Sequence, residues 1–287
     1  MPVLALVAVL IAAVVHASWN IIVKRAVGAR HFVWLYSVAS LVIWAPLVGY
    51  VLATAGPPRH AVQWLALAAT GVLHLGYATA LQAGYRAADL SIVYPIARGF
   101  GPVLSFIGAV LFLGDPYSGT SVLGLVLIVA GMALVSGLVG RARRIDRNGV
   151  GWGLLTGAFI AGYTLNDGWA VRALLVSPLI VDYFGNAVRF VALLPFAAAD
   201  RARVRAEARQ FFRPAIGVAV LAPLAYILVL FAMQIAPVSH VAPAREVATL
   251  VGTYLGSRLL REVVTLPRVV GAVCIVAGIV CLALARY

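Results

Sequence analysis

Charged residues are scarce in this chain of 287 residues: they make up 11% of it, whereas 63% of the residues are hydrophobic. Soluble proteins carry about 25% charged residues, so this composition excludes an ordinary soluble protein. Apolar runs of about 20 residues, long enough to cross a bilayer as helices, recur along the whole chain. These runs lack the alternation of barrel strands. The sequence therefore predicts an all-α polytopic protein of the cell (inner) membrane.

Cysteine is nearly absent, and the signatures of catalysis are missing. Cys274 and Cys281 lie seven residues apart in one apolar run, which on a helix is about 10 Å along the axis and too far for a disulfide. The sequence contains no H-E-x-x-H metal spacing, no G-x-S-x-G turn and no phosphate loop. We therefore expect neither an enzyme nor a nucleotide-driven pump, and no cofactor or metal.

Acidic residues are also few: the chain has 9 Asp and Glu against 22 Lys and Arg, a formal net charge of +13. Such a charge can indicate nucleic-acid binding, but these basic residues lie in short loops between apolar runs, with no fold to present them to a groove. They are typical of side chains that anchor loops at lipid headgroups. The expected partners are membrane lipids and a small-molecule solute, not nucleic acid. We expect a monomer, with a dimer left open.

The apolar runs predict ten membrane helices. Residues 3–15 resemble the core of a signal peptide, but they lack a basic leading region and more spans follow, so we assign them to the first helix. The connection from Asp200 to Arg213 alternates Arg with Ala and Val, which predicts a short basic helix at the membrane interface. The predicted spans are residues 2–23, 31–53, 61–84, 90–113, 119–139, 149–172, 178–198, 214–235, 238–260 and 267–285.

The second half of the chain repeats the pattern of the first. Residues 1–140 are predicted to form one five-helix repeat and residues 149–287 a second. Because five is odd, the second repeat enters the membrane from the opposite face, as in transporters whose inverted halves rock about a site near the midplane. Shifts of 147 or 148 positions align Ser91 with Ser239, Pro95 with Pro243, Asp115 with Glu262, Gly124 with Gly271 and Gly131 with Gly278.

Basic residues are distributed unequally between the two sets of loops. Sixteen lie in the loops after odd-numbered spans and three in the other loops and the C-terminal tail. The positive-inside rule predicts that the odd-numbered loops are cytoplasmic and that both termini lie outside.

Arg98 lies within an apolar segment, where a charge without a partner costs several kcal/mol. The offset of 148 carries Arg98 to Glu246, next to Arg245. Each is predicted to lie about 10 Å deep in a hydrocarbon core of about 30 Å. One interpretation is a cavity in which Arg98 or Arg245 holds an anionic group, while Glu246 carries a proton or the amine of a zwitterion. The alternative is an internal ion pair that only locks helices together.

Two further spans carry polar residues on one helical face. In the seventh, Asp182, Asn186 and Arg189 follow at i, i+4 and i+7, which predicts either a cavity lining or a structural Asp–Arg pair. In the third, His74 shares a face with Tyr77. His74 either contacts solute or forms an interhelical hydrogen bond.

The first and sixth spans supply the remaining candidates. Trp19, Asn20 and Lys24 share one face of the first span, and Lys24 either snorkels to the interface or reaches into the mouth of a pocket. Asn166 and Asp167 lie in the matching region of the sixth span. An acid at that depth is a candidate proton carrier.

Glycines recur every seven residues in the fifth and tenth spans, at Gly124 and Gly131 and at Gly271 and Gly278. Small residues at this spacing favour close helix packing. The packing is expected either within the chain or between chains.

Several motifs together resemble the EamA family of the drug/metabolite transporter superfamily. They are H-A-S-W-N-I-I-V-K-R at 16–25, Y-P-I-A-R-G-F-G-P at 94–102, and the two G-x-V-x-I-V-A-G segments that follow Asp115 and Glu262. The resemblance covers nearly the whole chain. It implies a secondary transporter, commonly an exporter of amino acids, metabolites or drugs, with a central cavity between two repeats. Members are often drawn with both termini in the cytoplasm, opposite to the orientation that the charge count predicts.

The leading hypothesis is a secondary-active transporter, an exporter of small metabolites such as amino acids, that works by alternating access. The alternative is a lipid-carrier flippase subunit or a non-transporting membrane partner, in which the polar residues only join helices. The predicted substrate-binding residues are Trp19, Asn20, Lys24, His74, Tyr94, Arg98, Asn166, Asp167, Asn186, Arg189, Arg245 and Glu246.

Overall fold

The computed structural model describes residues 1–24, 26, 28–136, 146–251 and 265–285. Within these ranges all regular secondary structure is helical. The helices are α1 (Val3–Lys24), α2 (Phe32–Ala55), α3 (Ala61–Ala87), α4 (Leu90–Phe112), α5 (Gly119–Val135), α6 (Arg147–Arg172), α7 (Pro178–Ala199), α8 (Arg201–Gln210), α9 (Phe212–Ile235), α10 (Val238–Ala244) and α12 (Leu266–Leu284). Residues 247–251 are a further helical stretch, α11.

Seven of these helices are long and apolar enough to cross a membrane: α1, α2, α3, α4, α7, α9 and α12. Helix α5 is apolar but shorter. Helix α6 has 26 residues, but Asn166, Asp167 and six glycines dilute its apolar content. The protein is therefore an all-helical, multi-pass membrane protein.

The described residues confirm the predicted basic helix and differ from the predicted ten spans in one place. The basic connection after α7 folds as a separate helix, α8, as the alternation of Arg with Ala predicts. The predicted span 238–260 begins as α10, which ends after seven residues. Pro243 has no N–H to donate, and the amide of Glu246 bonds to the carbonyl of Pro243 three residues back, so the helix tightens and breaks there. Eleven helices, α1 to α10 and α12, therefore have both ends in the described part of the chain.

Local signals account for several helix starts. Ser118 caps α5 by accepting a hydrogen bond from the amide of Ser121, whose hydroxyl accepts one from the amide of Ser118. Asp146 caps α6 through the amide of Asn148, at 3.0 Å. Proline opens α7 and lies in the first turn of α12, where a missing N–H costs nothing.

The helices pack with an approximate twofold relation between the two halves. Helix α1 of the first repeat packs on α9 of the second. In the same way, α6, the equivalent of α1, packs on α3, the equivalent of α9. Three further contacts, α2 with α7, α4 with α10 and α5 with α12, each join a helix to its own equivalent. A helix that contacts its equivalent must lie beside the pseudo-twofold axis. This packing is what inverted repeats require.

Glycine brings α5 and α12 into backbone contact. A Cβ at Gly131 would lie 2.5 Å from the carbonyl oxygen of Gly271, and one at Gly278 would lie 2.6 Å from that of Gly124. Neither backbone oxygen can move aside cheaply. The predicted glycine packing is confirmed, and it lies within the chain.

A carboxylate joins the two repeats at the membrane face that holds the termini. Asp115, which follows α4, is 3% exposed and forms an ion pair with Arg172 at the end of α6. Its other oxygen accepts a hydrogen bond from the amide of Ser239, at 2.8 Å, and so caps α10. At the same face the N-terminal ammonium donates to the carbonyl of Ala283, at 2.9 Å. The N-terminus and the end of α12 therefore lie on the same side of the protein.

Candidate functional site

Two buried charges of opposite sign meet where α4 and α10 pack together. Arg98 lies on α4, and Glu246 lies in the turn that follows α10. The guanidinium Nη2 of Arg98 is 2.9 Å from Oε2 of Glu246, and the side chains are 13% and 1% exposed. The repeat offset predicted that these two residues approach each other, and they do. This contact also agrees with the alternative of a locking ion pair.

Tyr94 lies one helical turn before Arg98 and flanks it. The guanidinium carbon of Arg98 is 5.9 Å from the centre of the Tyr94 ring, within the range of a cation–π contact. The Tyr94 side chain is 37% exposed. An aromatic face therefore borders the Arg98 guanidinium on the more exposed side.

Arg245 and Glu246 are neighbours in the turn but contact different helices. The Arg245 guanidinium lies over the ring of Tyr163 on α6, 5.8 Å from its centre. Among the residues that the structure describes, no carboxylate lies within salt-bridge distance of Arg245. Two atoms of this turn, Nε of Arg245 and Oε1 of Glu246, are buried and have no hydrogen-bond partner among the described residues. Unsatisfied buried groups of this kind cost about 1–3 kcal/mol each, so they favour a ligand that satisfies both.

Tyr163 is also the centre of an aromatic cluster between α3, α6 and α9. His74 stacks on it, with ring centres 4.2 Å apart and an angle of 25° between the planes. Tyr77 and Tyr226 meet it edge-on, at 5.8 Å and 6.4 Å. The predicted residues His74 and Arg245 therefore both contact the ring of Tyr163.

Asp167 forms a second polar centre one helical turn after Tyr163. It is fully buried. Its Oδ1 accepts hydrogen bonds from the hydroxyl of Thr70, at 2.5 Å, and from the amide of Asn166, at 3.0 Å. Its Oδ2 accepts one from the hydroxyl of Tyr226, at 2.6 Å, and lies 3.9 Å from Nδ1 of His74. The predicted residues Asn166, Asp167 and His74 are therefore in one network.

The polar face of α7 forms a third group. The Asn186 amide donates to Oδ2 of Asp182, at 2.9 Å, and its oxygen accepts from Arg189, at 3.0 Å. The Arg189 guanidinium also lies 5.9 Å from the ring centre of Tyr36 on α2. Asn186 thus links the acid to the arginine, in place of the direct Asp–Arg pair that was one of the two expectations.

The predicted residues of α1 are less closely connected to these groups. Trp19 packs edge-on against His16, with ring centres 4.9 Å apart. His16 is within electrostatic range of Arg98 and Arg245. Asn20 is exposed and donates to the carbonyl of His16 in its own helix, at 3.0 Å. The structure describes Lys24 as the last residue of α1, and its side chain lies outside the described part.

Sequence reasoning missed four contributors: Thr70, Tyr163, Tyr226 and Tyr36. Two of them had a usable signal, because Tyr163 lies four residues before Asp167 and Thr70 lies four before His74, on the same helical faces. Tyr226 and Tyr36 had none, since their roles depend on which helices become neighbours. Among the described residues no group of three or more His, Cys, Asp or Glu side chains is placed to hold a metal ion.

Comparison with known proteins places this arrangement in a family. The model of the EamA-like transporter family matches the chain twice, over residues 3–137 and 147–284. The chain belongs to the EamA-like transporter family. The two matches agree with the two-repeat architecture, while the repeat boundaries at residues 140 and 149 stay a prediction. No curated protein matches the chain.

Solved structures share the fold of this family member. Twenty-nine chains match. One of them, described as a "crystal structure of protein", has a TM-score of 0.73 over 98% of both chains at 14% sequence identity. At that identity the likeness shows the fold alone.

Proposed function

We propose that the protein is a secondary-active transporter that moves small polar or amphipathic solutes, such as amino acids, out of the cell across the inner membrane. It works by alternating access, with ten membrane crossings, cytoplasmic odd-numbered loops and both termini outside. The two inverted repeats rock about a solute site near the midplane. Family membership and the approximate twofold packing of the two halves support this proposal.

The solute site proposed is the group formed by Arg98, Arg245, Glu246, Tyr163 and Tyr94. The observation that carries the proposal is that Arg245 Nε and Glu246 Oε1 are both buried without a hydrogen-bond partner in the described residues. An arginine donates to a carboxylate, and a carboxylate accepts from an ammonium group. Adjacent groups of these two kinds are complementary to an amino acid in its zwitterionic form. Arg98 holds the Glu246 carboxylate in place by its ion pair.

A thermal-shift experiment tests this proposal. A solute that binds only the folded protein must raise its melting temperature. We expect one or more L-amino acids to raise the melting temperature of the detergent-purified protein, and Arg245→Gln to lose that rise. The matched control is Arg59→Gln, since Arg59 is exposed in a loop and should keep it. A rise of equal size in Arg245→Gln would refute the assigned site.

The alternative is a membrane partner or lipid-carrier flippase subunit in which the polar groups only join helices. The short contact between Arg98 and Glu246 favours this alternative, because a locking pair needs nothing more. Under this alternative no amino acid changes the melting temperature of the wild-type protein.

A further inference from the structure

The buried acid Asp167 has only neutral hydrogen-bond donors. Its three donors are the Thr70 hydroxyl, the Asn166 amide and the Tyr226 hydroxyl. Its nearest basic group is His74, at 3.9 Å, which is charged only when protonated. No Lys or Arg forms an ion pair with Asp167 among the residues that the structure describes. A carboxylate buried in a membrane without a permanent cation is suited to carry a proton.

Glu246 differs from Asp167 in this respect. Its carboxylate is 2.9 Å from the guanidinium of Arg98, which keeps its charge at all relevant pH values. Protonating Glu246 would leave that guanidinium buried and unpaired, which is strongly unfavourable. Of these two buried acids, Asp167 is therefore the one that no Lys or Arg pairs with among the described residues.

The hydroxyl of Thr70 allows Asp167 to take up a proton without losing a hydrogen bond. Thr70 has one hydroxyl hydrogen but two acceptors in reach, Oδ1 of Asp167 at 2.5 Å and the carbonyl of Ala66 at 3.0 Å. When Asp167 is ionised, Thr70 donates to it. When Asp167 is protonated, the acid donates to the Thr70 oxygen, and the Thr70 hydrogen turns to Ala66. Both protonation states are hydrogen-bonded, and rotation of one hydroxyl separates them.

His74 connects Asp167 with the proposed solute site. Its Nδ1 is 2.9 Å from the carbonyl of Thr70. A carbonyl only accepts, so Nδ1 carries the hydrogen and Nε2 has the lone pair that takes up a second proton. The imidazole stacks on Tyr163, and Arg245 lies over the same tyrosine. Arg245 is within electrostatic range of His74, so the protonation state of His74 and the charge of the solute group influence each other.

Other charged or titratable groups surround this pair. Tyr226 comes from α9, Arg245 from the turn after α10, and Asp182 and Arg189 from α7, all within electrostatic range of Asp167, His74 or both. On α4, Arg98 is directed to Glu246. Asp182 is hydrogen-bonded to Asn186 and linked through it to Arg189. Asp167 and His74 lie 3.9 Å apart, and His74 stacks on Tyr163 of the proposed solute group.

We propose that Asp167 and His74 form the proton-coupling site of the transporter, distinct from the solute group at Arg98, Arg245 and Glu246. This inference rests on the proposed function. Protons enter the cell down their gradient, so export requires exchange: after solute has left Arg245, the repeats return with a proton on Asp167 or His74, and that proton is released inside before solute binds again. The cycle moves a proton and forms or breaks no covalent bond in the solute.

Two measurements test the coupling site. The first uses proteoliposomes and a radiolabelled mixture of L-amino acids. It compares counterflow, which needs no gradient, with accumulation driven by an imposed pH gradient. In Asp167→Asn we expect counterflow to persist and the pH-driven accumulation to be lost. Accumulation at the wild-type level, or loss of both activities, would overturn the proposal. The control Ser105→Ala removes another buried hydroxyl, one that donates to Gly101 within α4, and should keep both activities.

The second measurement needs no solute. An infrared difference spectrum between acidic and alkaline buffer should show a protonated-carboxyl band in the wild type and in Ser105→Ala that is missing in Asp167→Asn. An unchanged band in Asp167→Asn refutes the proton site even if transport is absent. Absence of wild-type counterflow refutes the proposed function instead, so the two failures are distinguishable.

Discussion

Arg98 of the first repeat and Glu246 of the second form a buried ion pair, with 2.9 Å between Nη2 and Oε2. The pair joins α4 to the turn after α10, where the two halves of the protein meet at the pseudo-twofold axis. Removing one member of a buried pair leaves the other charge uncompensated, whereas removing both does not.

The ion pair is therefore expected to respond differently to single and double substitution. Arg98→Met should lower the free energy of unfolding by about 3–5 kcal/mol, and Arg98→Met combined with Glu246→Gln should recover most of that loss. Thermal unfolding in detergent measures both. In amino-acid binding the double variant should remain as defective as the single one. Recovery of binding along with stability would show that the pair only joins helices.

The glycine contact between α5 and α12 gives a prediction about stability. Gly131→Ala places a Cβ 2.5 Å from the Gly271 carbonyl oxygen, and such overpacking costs about 1–3 kcal/mol. The matched control is Gly49→Ala in α2, where a Cβ has no neighbour within 4 Å. Gly49→Ala should leave the melting temperature unchanged or raise it, since Ala favours helix over Gly. Equal melting temperatures in the two variants would contradict the close packing.

The contacts of Asp115 with Arg172 and with the Ser239 amide give a prediction about the junction of the repeats. Asp115→Ala removes the partner of Arg172 and the cap on the Ser239 amide together. A lost helix cap costs about 0.5–2 kcal/mol, and the Arg172 side chain, 37% exposed, adds little because solvent screens it. Asp115→Asn retains one acceptor for Ser239 and should lose less stability than Asp115→Ala. The reverse order, measured by thermal unfolding, would be inconsistent with capping.

Glu207 on the surface helix α8 gives a prediction about pH. Burial raises the pKa of Glu207, but hydrogen bonds from the amides of His31 and Arg30 and from Arg203 outweigh it, so the pKa is lowered. A lowered pKa means that the folded state binds this proton less readily than the unfolded state. The stabilisation is complete above the ordinary glutamate pKa and is lost as the pH falls through the lowered one.

The measurement is the difference in melting temperature between the wild type and Glu207→Gln. It should be largest at neutral pH and shrink in acid, where protonated Glu207 resembles Gln. The nearby contact of His31 with Asp200, at 3.6 Å, is present in both proteins and cancels in this difference. A difference in melting temperature that grows in acid would contradict a lowered pKa of Glu207.

Much of the fold follows from apolar periodicity and the repeat. The multi-pass helical fold, the surface helix after Asp200, the glycine packing and the approach of Arg98 to Glu246 were all predictable, because each depends on a pattern along the chain. The break after Ala244 was not. Pro95 and Pro243 are equivalent in the repeat, yet α4 runs through Pro95 without interruption while the other helix ends just after Pro243. From the sequence alone, both prolines are expected to have the same effect on the helix.

The sequence indicated many of the residues in the candidate site, but not which of them contact each other. His74 and Asp167 were recognised on separate helices, and only the packing of α3 on α6 brings them within 3.9 Å of each other. Tyr226 enters from α9 through a tertiary contact with no signal in the sequence. Direct Asp–Arg pairing on α7 was one expectation, whereas Asn186 bridges the two residues because it lies between them on the helical face.

The central claim is that the group around Arg245 binds and carries a small solute. Its most direct test is counterflow of radiolabelled L-amino acids in proteoliposomes that contain wild-type protein, Arg245→Gln or the exposed control Arg59→Gln. We predict counterflow with the wild type and Arg59→Gln, and its loss with Arg245→Gln. Wild-type levels of counterflow in Arg245→Gln would contradict the claim.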